Sequence, residues 1–440
     1  MTLAFVFFVG LWFSCKLKFF QFFGIRVWFG ATFGSFWGKK KISSSKELKK
    51  IKGISPFQAM STALGGCVGT GNMIGVATAI ILGGPGALFW MWIAAFLGMM
   101  TSFAENVLST KYKQRDKDGN SYGGPMFYME KGLNCKWIAV IFSIACVGVT
   151  LGMGNMIQSN SIANSVLSFS GVSPLITGLI TAVLVGIILL GGISRIASVT
   201  DKMVPIMIGL YVLGGTFVIL YNFDKLGGVF LEIMKSAFDF GPVGASFVGY
   251  SAANSLKYGI SRGLFSNEAG LGSSPIVHAA TDAKNPVIQG MWGIFQVFVD
   301  TILICSITGL CILITNSTGT EEEAVIVTNK AFESVFGPLG SVGVYVLLIF
   351  FAFSTIIGWS YFGERCVDYL AGEKYVKIYK ILVPFATMAG AMMNLTFLWE
   401  ICDNLNVFMM IPNLIAILLL SKEVINISKK FLILKGERKL

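Results

Sequence analysis

Charge is what this chain of 440 residues has least of: Asp, Glu, Lys and Arg together make up 13% of it, against about 25% in an average soluble domain. With 54% hydrophobic residues, a water-soluble fold of this length could not clothe its surface. Histidine is nearly missing. His278 stands alone, which excludes a histidine-built metal centre and the HExxH pattern of metalloproteases. The eight cysteines (Cys15, Cys67, Cys135, Cys146, Cys305, Cys311, Cys366 and Cys402) are scattered singly, with no CxxC and no framework spacing, so they read as apolar packing residues. No GxxxxGK[ST] loop occurs, which excludes ATP-driven work within this chain. No filter-like repeat of the kind that lines channels is found. The acids and serines do not pair into an intramembrane catalytic set, which Glu268 and Asp300 could imitate only loosely. No catalytic residue and no cofactor is expected.

What is present is a succession of apolar runs near bilayer-crossing length. Eleven spans are expected, at roughly 3 to 20, 55 to 82, 85 to 109, 136 to 165, 174 to 192, 203 to 220, 242 to 281, 287 to 314, 339 to 362, 381 to 399 and 405 to 420. Met1 to Ser14 lacks a basic n-region and a small-residue cleavage site, so it reads as a retained helix and not a signal peptide. The basic residues test the alternation of sides. If the loops after odd-numbered spans are cytoplasmic, 29 of the 34 Lys and Arg fall on that side, as in KKKISSSKELKKIK (39 to 52), which the positive-inside rule demands. The expected orientation is N-terminus outside and C-terminus inside a cell (inner) membrane. The net charge of +11 is then topogenic, with attraction to anionic headgroups of the lipid bilayer and no nucleic-acid role.

Two spans are interrupted by glycine clusters, Gly65-Gly66-Cys67-Val68-Gly69-Thr70-Gly71-Asn72 and Gly263 to Ser274. Unwound backbone at membrane depth survives where it lines a cavity, because its freed N–H and C=O groups need partners. Close helix packing is the alternative for either cluster alone. Five spans separate the two clusters, and an odd number inverts the second half. That is the layout of an inverted repeat opened by a discontinuous helix in each half. Freed carbonyls suit a cation or an ammonium, and half-helix N–H groups suit a carboxylate.

Ser55-Pro56-Phe57-Gln58-Ala59, GTGN (69 to 72), GGPGALFWMW (83 to 92), YGGPMFYMEKG (122 to 132) and RGLFSNEAGLGSSPIVHAA (262 to 280) together resemble the alanine or glycine:cation symporters. These belong to the amino acid-polyamine-organocation group with the leucine-transporter fold. The resemblance runs from Ser55 to the end of the eleventh span; Cys67 departs from it, standing where a small polar or apolar residue is usual. It implies an all-α polytopic protein with one extra N-terminal helix (1–54, with the basic loop), two inverted repeats of five spans (55–220 and 242–420) and a basic tail (421–440). It implies symport of Na⁺ with a small neutral amino acid (alanine, glycine or serine) by alternating access, with a proton-coupled variant as the alternative.

The same resemblance implies site roles. The Gly65 and Val68 carbonyls with the Ser354 and Thr355 hydroxyls would hold Na⁺; back-bonding to their own helix is the other role open to the two hydroxyls. Thr70, Gly71 and Asn72 would offer N–H groups to the substrate carboxylate, while Phe265, Ser266, Asn267 and Glu268 in the second break would face its ammonium. Glu268, an acid at membrane depth, would accept from the ammonium or brace the broken helix. Asn155 and Gln158, three apart, share one helical face, and the resemblance points to Gln158 as a pocket residue. Thr355 and Trp359 are four apart and also share a face, so the indole would close the pocket. Glu105 is expected near the cytoplasmic end, reaching water or the basic loop. Asp300 has no expected partner.

Overall fold

The computed structural model describes residues 2–36, 53–238, 252–318, 324–393 and 396–434. The basic run 39 to 52 and the acids Glu321, Glu322 and Glu323 lie outside the described residues. Helices make up nearly all of what is described, the exception being a two-strand ladder, Gln114–Arg115 with Ser121–Tyr122. Among the described residues, six helices are long and apolar enough to cross a membrane: Gly86–Lys111, Lys136–Ser170, Gly192–Tyr221, Pro286–Ile314, Pro338–Ala371 and Leu398–Leu419. Pro56–Cys67 and Gly71–Gly83, bent by 55° at their junction, make a seventh if counted as one broken span. Shorter or more polar helices occupy the other expected positions: Thr2–Lys16, Pro174–Leu190, Ala252–Asn267 with Ser274–His278, and Glu373–Met392. On Pro174–Leu190, residues such as Leu175, Ile176, Leu179 and Ile180 are half exposed, an apolar face of the kind a bilayer covers.

Local signals explain where helices start. Ser55 caps Pro56–Cys67 through a capping box in which its hydroxyl accepts from the Gln58 N–H and the Gln58 side chain accepts from the Ser55 N–H. Asn285 caps Pro286 in the same sense, with its side chain accepting from the Val287 N–H. Two expected loops are helical instead. Segment 194 to 202 belongs to Gly192–Tyr221, because the turn between consecutive spans is made by Gly191 and Gly192 alone, the latter at φ 62°. Residues 364 to 371 continue Pro338–Ala371. There Arg365 pairs with Glu364 and Asp368, and Lys380 with Glu364, so charge that looked loop-like is satisfied on helices.

Glycine brings the core helices together. A Cβ on Gly358 would lie 3.1 Å from the Gly66 backbone, so Pro338–Ala371 crosses the first broken span backbone to backbone. A Cβ on Gly259 would sit 2.3 Å from the Ala87 carbonyl oxygen, which lets the second broken span lie along Gly86–Lys111. At the end expected to be cytoplasmic, the two broken spans are tied to each other. Ile54 donates to the Ala280 carbonyl at 3.2 Å and accepts from the Asp282 N–H at 3.0 Å, a one-residue parallel bridge between Ile54 and Thr281. Lys113 reinforces it by donating to the Thr281 and Ala283 carbonyls at 2.8 and 2.7 Å.

Candidate functional site

The first break opens after Cys67. Val68 has ψ 91°, which turns its carbonyl away from the helical direction, and the Gly69 N–H is caught by the Asn72 side-chain oxygen at 3.0 Å. Gly71–Gly75 then runs as a π-helical turn. The second break opens after Asn267, whose side chain accepts from the Ala269 N–H at 3.0 Å. Glu268 takes φ 57°, and Gly270 and Gly272 take 94° and 79°. Left-handed backbone suits the glycines and strains the glutamate, so Glu268 must be held there by its side chain. A further π-helical stretch, Phe298–Cys305, abuts both breaks, and another, Thr150–Ile157, packs on Pro338–Ala371 through Gly154 and Trp359. π-Turns are rare and concentrate at functional sites.

Three of the four residues expected to hold the cation, Gly65, Ser354 and Thr355, come together. The Thr355 hydroxyl lies 3.1 Å from the Gly65 carbonyl oxygen, and a Cβ on Gly65 would be 3.3 Å from the Ser354 Cβ. Both hydroxyls also bond the Phe351 carbonyl of their own helix, at 2.8 Å from Ser354 and 3.0 Å from Thr355, so back-bonding is present alongside the cross-helix contact. All four groups offer neutral oxygens, which suits a hard monovalent cation.

Several of the residues expected to contact substrate lie beside them. A Cβ on Gly69 would lie 2.6 Å from the Thr355 hydroxyl and 3.5 Å from the Gln158 side-chain oxygen, so three elements converge where there is no room for a side chain at position 69. Gln158 donates to the Thr70 hydroxyl at 3.3 Å, while its buried Oε1 has no partner, an acceptor waiting for a donor. Gly71 faces the second break, where a Cβ would be 3.5 Å from both the Phe265 ring and the Ser266 Cα. Trp359 is fully buried against Gly154, whose Cβ would stand 2.5 Å from that of the tryptophan.

Glu268 spends both oxygens on protein partners: the Trp359 indole N–H donates at 2.9 Å and the Ser273 hydroxyl at 2.5 Å. This is the geometry of a brace. Asn267 donates to the Thr301 hydroxyl at 3.1 Å and points away from Gly71.

Two acids sit differently from the sequence reading. Glu105 does not reach water or the basic loop. It is fully buried, accepting from the N–H groups of Gly270 at 3.3 Å and Gly272 at 3.1 Å and from the Asn413 amide, because the second break frees two N–H groups at its depth. Asn413 in turn donates to the Gly270 carbonyl at 2.9 Å and accepts from Tyr128. Asp300 does have partners: the Asn72 amide at 2.7 Å, the Ser266 hydroxyl at 2.9 Å and the Thr301 hydroxyl at 2.8 Å. It joins the first break to the second. The signal was there, since Asp300 is the sole charged residue between Pro286 and Ile314 and an acid at membrane depth is a functional candidate by default.

Comparison with known proteins identifies the family and the fold. A curated relative from Methanococcus maripaludis, the sodium/alanine symporter AgcS, is 42% identical over 386 residues, covering 86% of this chain and 84% of the relative. An uncharacterized transporter from Haemophilus influenzae is 43% identical over 390 residues, covering 87% and 86%. Among solved structures, a Na⁺-coupled sialic acid symporter in a substrate-bound outward-open state aligns with a TM-score of 0.59 at 12% identity, over 93% of this chain and 84% of that one. At that identity it speaks for the fold alone, which is that of the leucine-transporter group. The sodium:alanine symporter family profile matches residues 1–439, and the chain, a multi-pass membrane transporter and not an enzyme, belongs to the sodium:alanine symporter family.

Proposed function

We propose that the chain carries a small neutral amino acid (alanine, glycine or serine) into the cell together with Na⁺, by alternating access. The observation that carries this reading is the meeting of the two breaks: Gly71 lies against Phe265 and Ser266, and Gly69 against Thr355 and Gln158. In this reading Gly65, Val68, Ser354 and Thr355 bind Na⁺. The N–H groups of Thr70, Gly71 and Asn72 receive the carboxylate, and the unpartnered Gln158 oxygen with the Phe265 and Ser266 carbonyls receives the ammonium. The kinship with a sodium/alanine symporter supports the choice of ion and substrate. Eleven crossings, repeats over 55–220 and 242–420, and an external N-terminus complete the proposal; a C-terminal reporter active only outside the cell would sink the topology.

Proton coupling is the second reading. It is favoured by Glu105, Glu268 and Asp300, buried acids that no ion pair among the described residues reaches. The two are separated by uptake of labelled alanine into proteoliposomes. Accumulation under an inward Na⁺ gradient with no proton gradient is expected; accumulation under a proton gradient alone reassigns the coupling ion, and none under either removes alanine as the substrate.

A further inference from the structure

The first expected span, 3 to 20, is a straight helix only as far as Lys16. There the chain turns, with Lys18 and Phe19 in left-handed backbone at φ 53° and 54°, a strained shape for residues that carry side chains. Gln21 holds the turn. Its side-chain amide donates to the Ser14 hydroxyl at 2.8 Å and to the Phe96 carbonyl at 3.4 Å, and its backbone carbonyl accepts from the Trp28 indole N–H at 3.1 Å. Beyond the turn, the short helices Phe20–Phe23 and Ile25–Ala31 lie against two of the crossing helices. Phe22 meets Phe96 of Gly86–Lys111 with ring centroids 4.8 Å apart, and Trp28 meets Phe298 of Pro286–Ile314 at 5.9 Å.

The outward face of this segment is apolar and cationic at once. Phe22, Phe23, Ile25 and Phe29 are exposed, Phe23 at 78%, a face of the kind acyl chains cover. Lys16, Lys18 and Arg26 are exposed beside them. None of the three forms a salt bridge among the described residues, and the first acid in the sequence is Glu47. Lys16 stands over the Trp12 ring at 4.6 Å. Cations without a counter-charge, set among phenylalanines that need hydrocarbon, fit the level where headgroups meet acyl chains, and short aromatic helices with Lys and Arg lie in that plane. A phosphodiester supplies the missing anion: the Arg26 fork can grip two of its oxygens and the lysines act as point charges. A free phosphate would answer the charge and leave the phenylalanines bare.

We propose that the segment from Lys16 to Ala31 is a binding site for one anionic phospholipid, its headgroup on Lys16, Lys18 and Arg26 and its acyl chains along Phe22, Phe23 and Phe29. This is a retained lipid, distinct from the diffuse attraction of the basic loops. It holds the segment against Gly86–Lys111 and Pro286–Ile314, the second of which carries Asp300 at the meeting of the two breaks.

The full chain is reconstituted in nanodiscs of phosphatidylcholine with and without phosphatidylglycerol, and the lipid it retains on release into detergent is read by native mass spectrometry. One phosphatidylglycerol per native chain is expected, and none for the combined variant Lys16→Gln, Lys18→Gln and Arg26→Gln. Phosphatidylglycerol should raise the native melt by a few degrees and leave that of the variant unchanged. Exchanging the three for the other basic residue (Lys16→Arg, Lys18→Arg and Arg26→Lys) should keep the lipid, which separates lost charge from lost fold. Should the combined variant fail to fold, Arg26→Gln alone decides, with retention lowered at least about fivefold. No lipid retained by the native chain, or equal retention by native and neutralised chains, overturns the proposal. A melt raised as much by inorganic phosphate assigns the cations to a free anion and overturns the lipid.

Discussion

Replacing Thr355 by Val keeps the side-chain shape and removes one oxygen. In the fold that hydroxyl makes two ordinary contacts, to the Phe351 and Gly65 carbonyls at 3.0 and 3.1 Å. A neutral hydrogen bond contributes about 1 kcal/mol net, so the variant should express and melt close to native. An oxygen facing a cation is worth more, about 1.5–3 kcal/mol for a hydrogen bond to a charged group. At 1.4 kcal/mol per decade, that is roughly 10- to 100-fold in apparent Na⁺ affinity. The assay is labelled-alanine uptake in proteoliposomes across a Na⁺ series, with a thermal melt on the same preparation. The expected outcome is a half-saturating Na⁺ concentration raised by at least tenfold with the melt shifted by only a few degrees. An unchanged Na⁺ dependence in a well-folded variant would refute the reasoning and leave the hydroxyl as a helix back-bond.

Gly69→Ala should abolish uptake while the chain still folds, since its Cβ would stand 2.6 Å from the Thr355 hydroxyl; uptake within twofold of native would show that this space is not used. Glu105→Ala strands the Gly270 and Gly272 N–H groups at about 1–3 kcal/mol each, so a melt lowered by several degrees with reduced uptake is expected, and a native melt counts against the latch. Trp359→Ala and Gln158→Ala should let valine and leucine compete with labelled alanine, because a rigid wall rejects a larger group more steeply than the 1–3 kcal/mol or so of a methylene; if both variants still carry alanine and ignore the larger amino acids, the size filter lies elsewhere. Burial pushes the Lys113 ammonium down to about 8, with Asp282 partly offsetting it and Arg115 adding to it. The unfolded chain therefore binds the extra proton between about pH 8 and 10.5, and linkage makes stability rise with pH across that window. Relative to Lys113→Met, the native melt should climb from pH 8 to pH 10; parallel curves would mean that the ammonium is not desolvated.

The sequence was most legible where backbone chemistry leaves a mark. Glycine clusters at two places foretold both breaks, and the resemblance was enough to put Thr355 with Gly65, whereas the seat of Trp359 against Gly154 was not anticipated. Glu105 and Asp300 were not legible in role. A carboxylate that satisfies backbone N–H groups from a span far along the chain, as Glu105 does with Gly270 and Gly272, has no local pattern, since its partner is a shape that exists only after folding. Spacing also said nothing of the Asn72 to Asp300 contact, which bridges 228 positions. The loops expected at 194 to 202 and 364 to 380 are almost wholly helical: charge suggested solvent, whereas Arg365 and Glu364 neutralise each other within a helix.

The one-residue bridge between Ile54 and Thr281 bears on the economy of a symporter. It fastens the ends, expected to be cytoplasmic, of both interrupted helices, the first proposed to bear on the ion and the amino acid and the second on the amino acid. A gate that opens inward with this strap intact must swing both ends in phase, so neither cargo finds a private exit. On the proposed orientation, tight stoichiometry would come from mechanical linkage at this rim, and a slipping variant is to be sought at Ile54, Lys113 and Thr281, away from the residues proposed to touch the cargo.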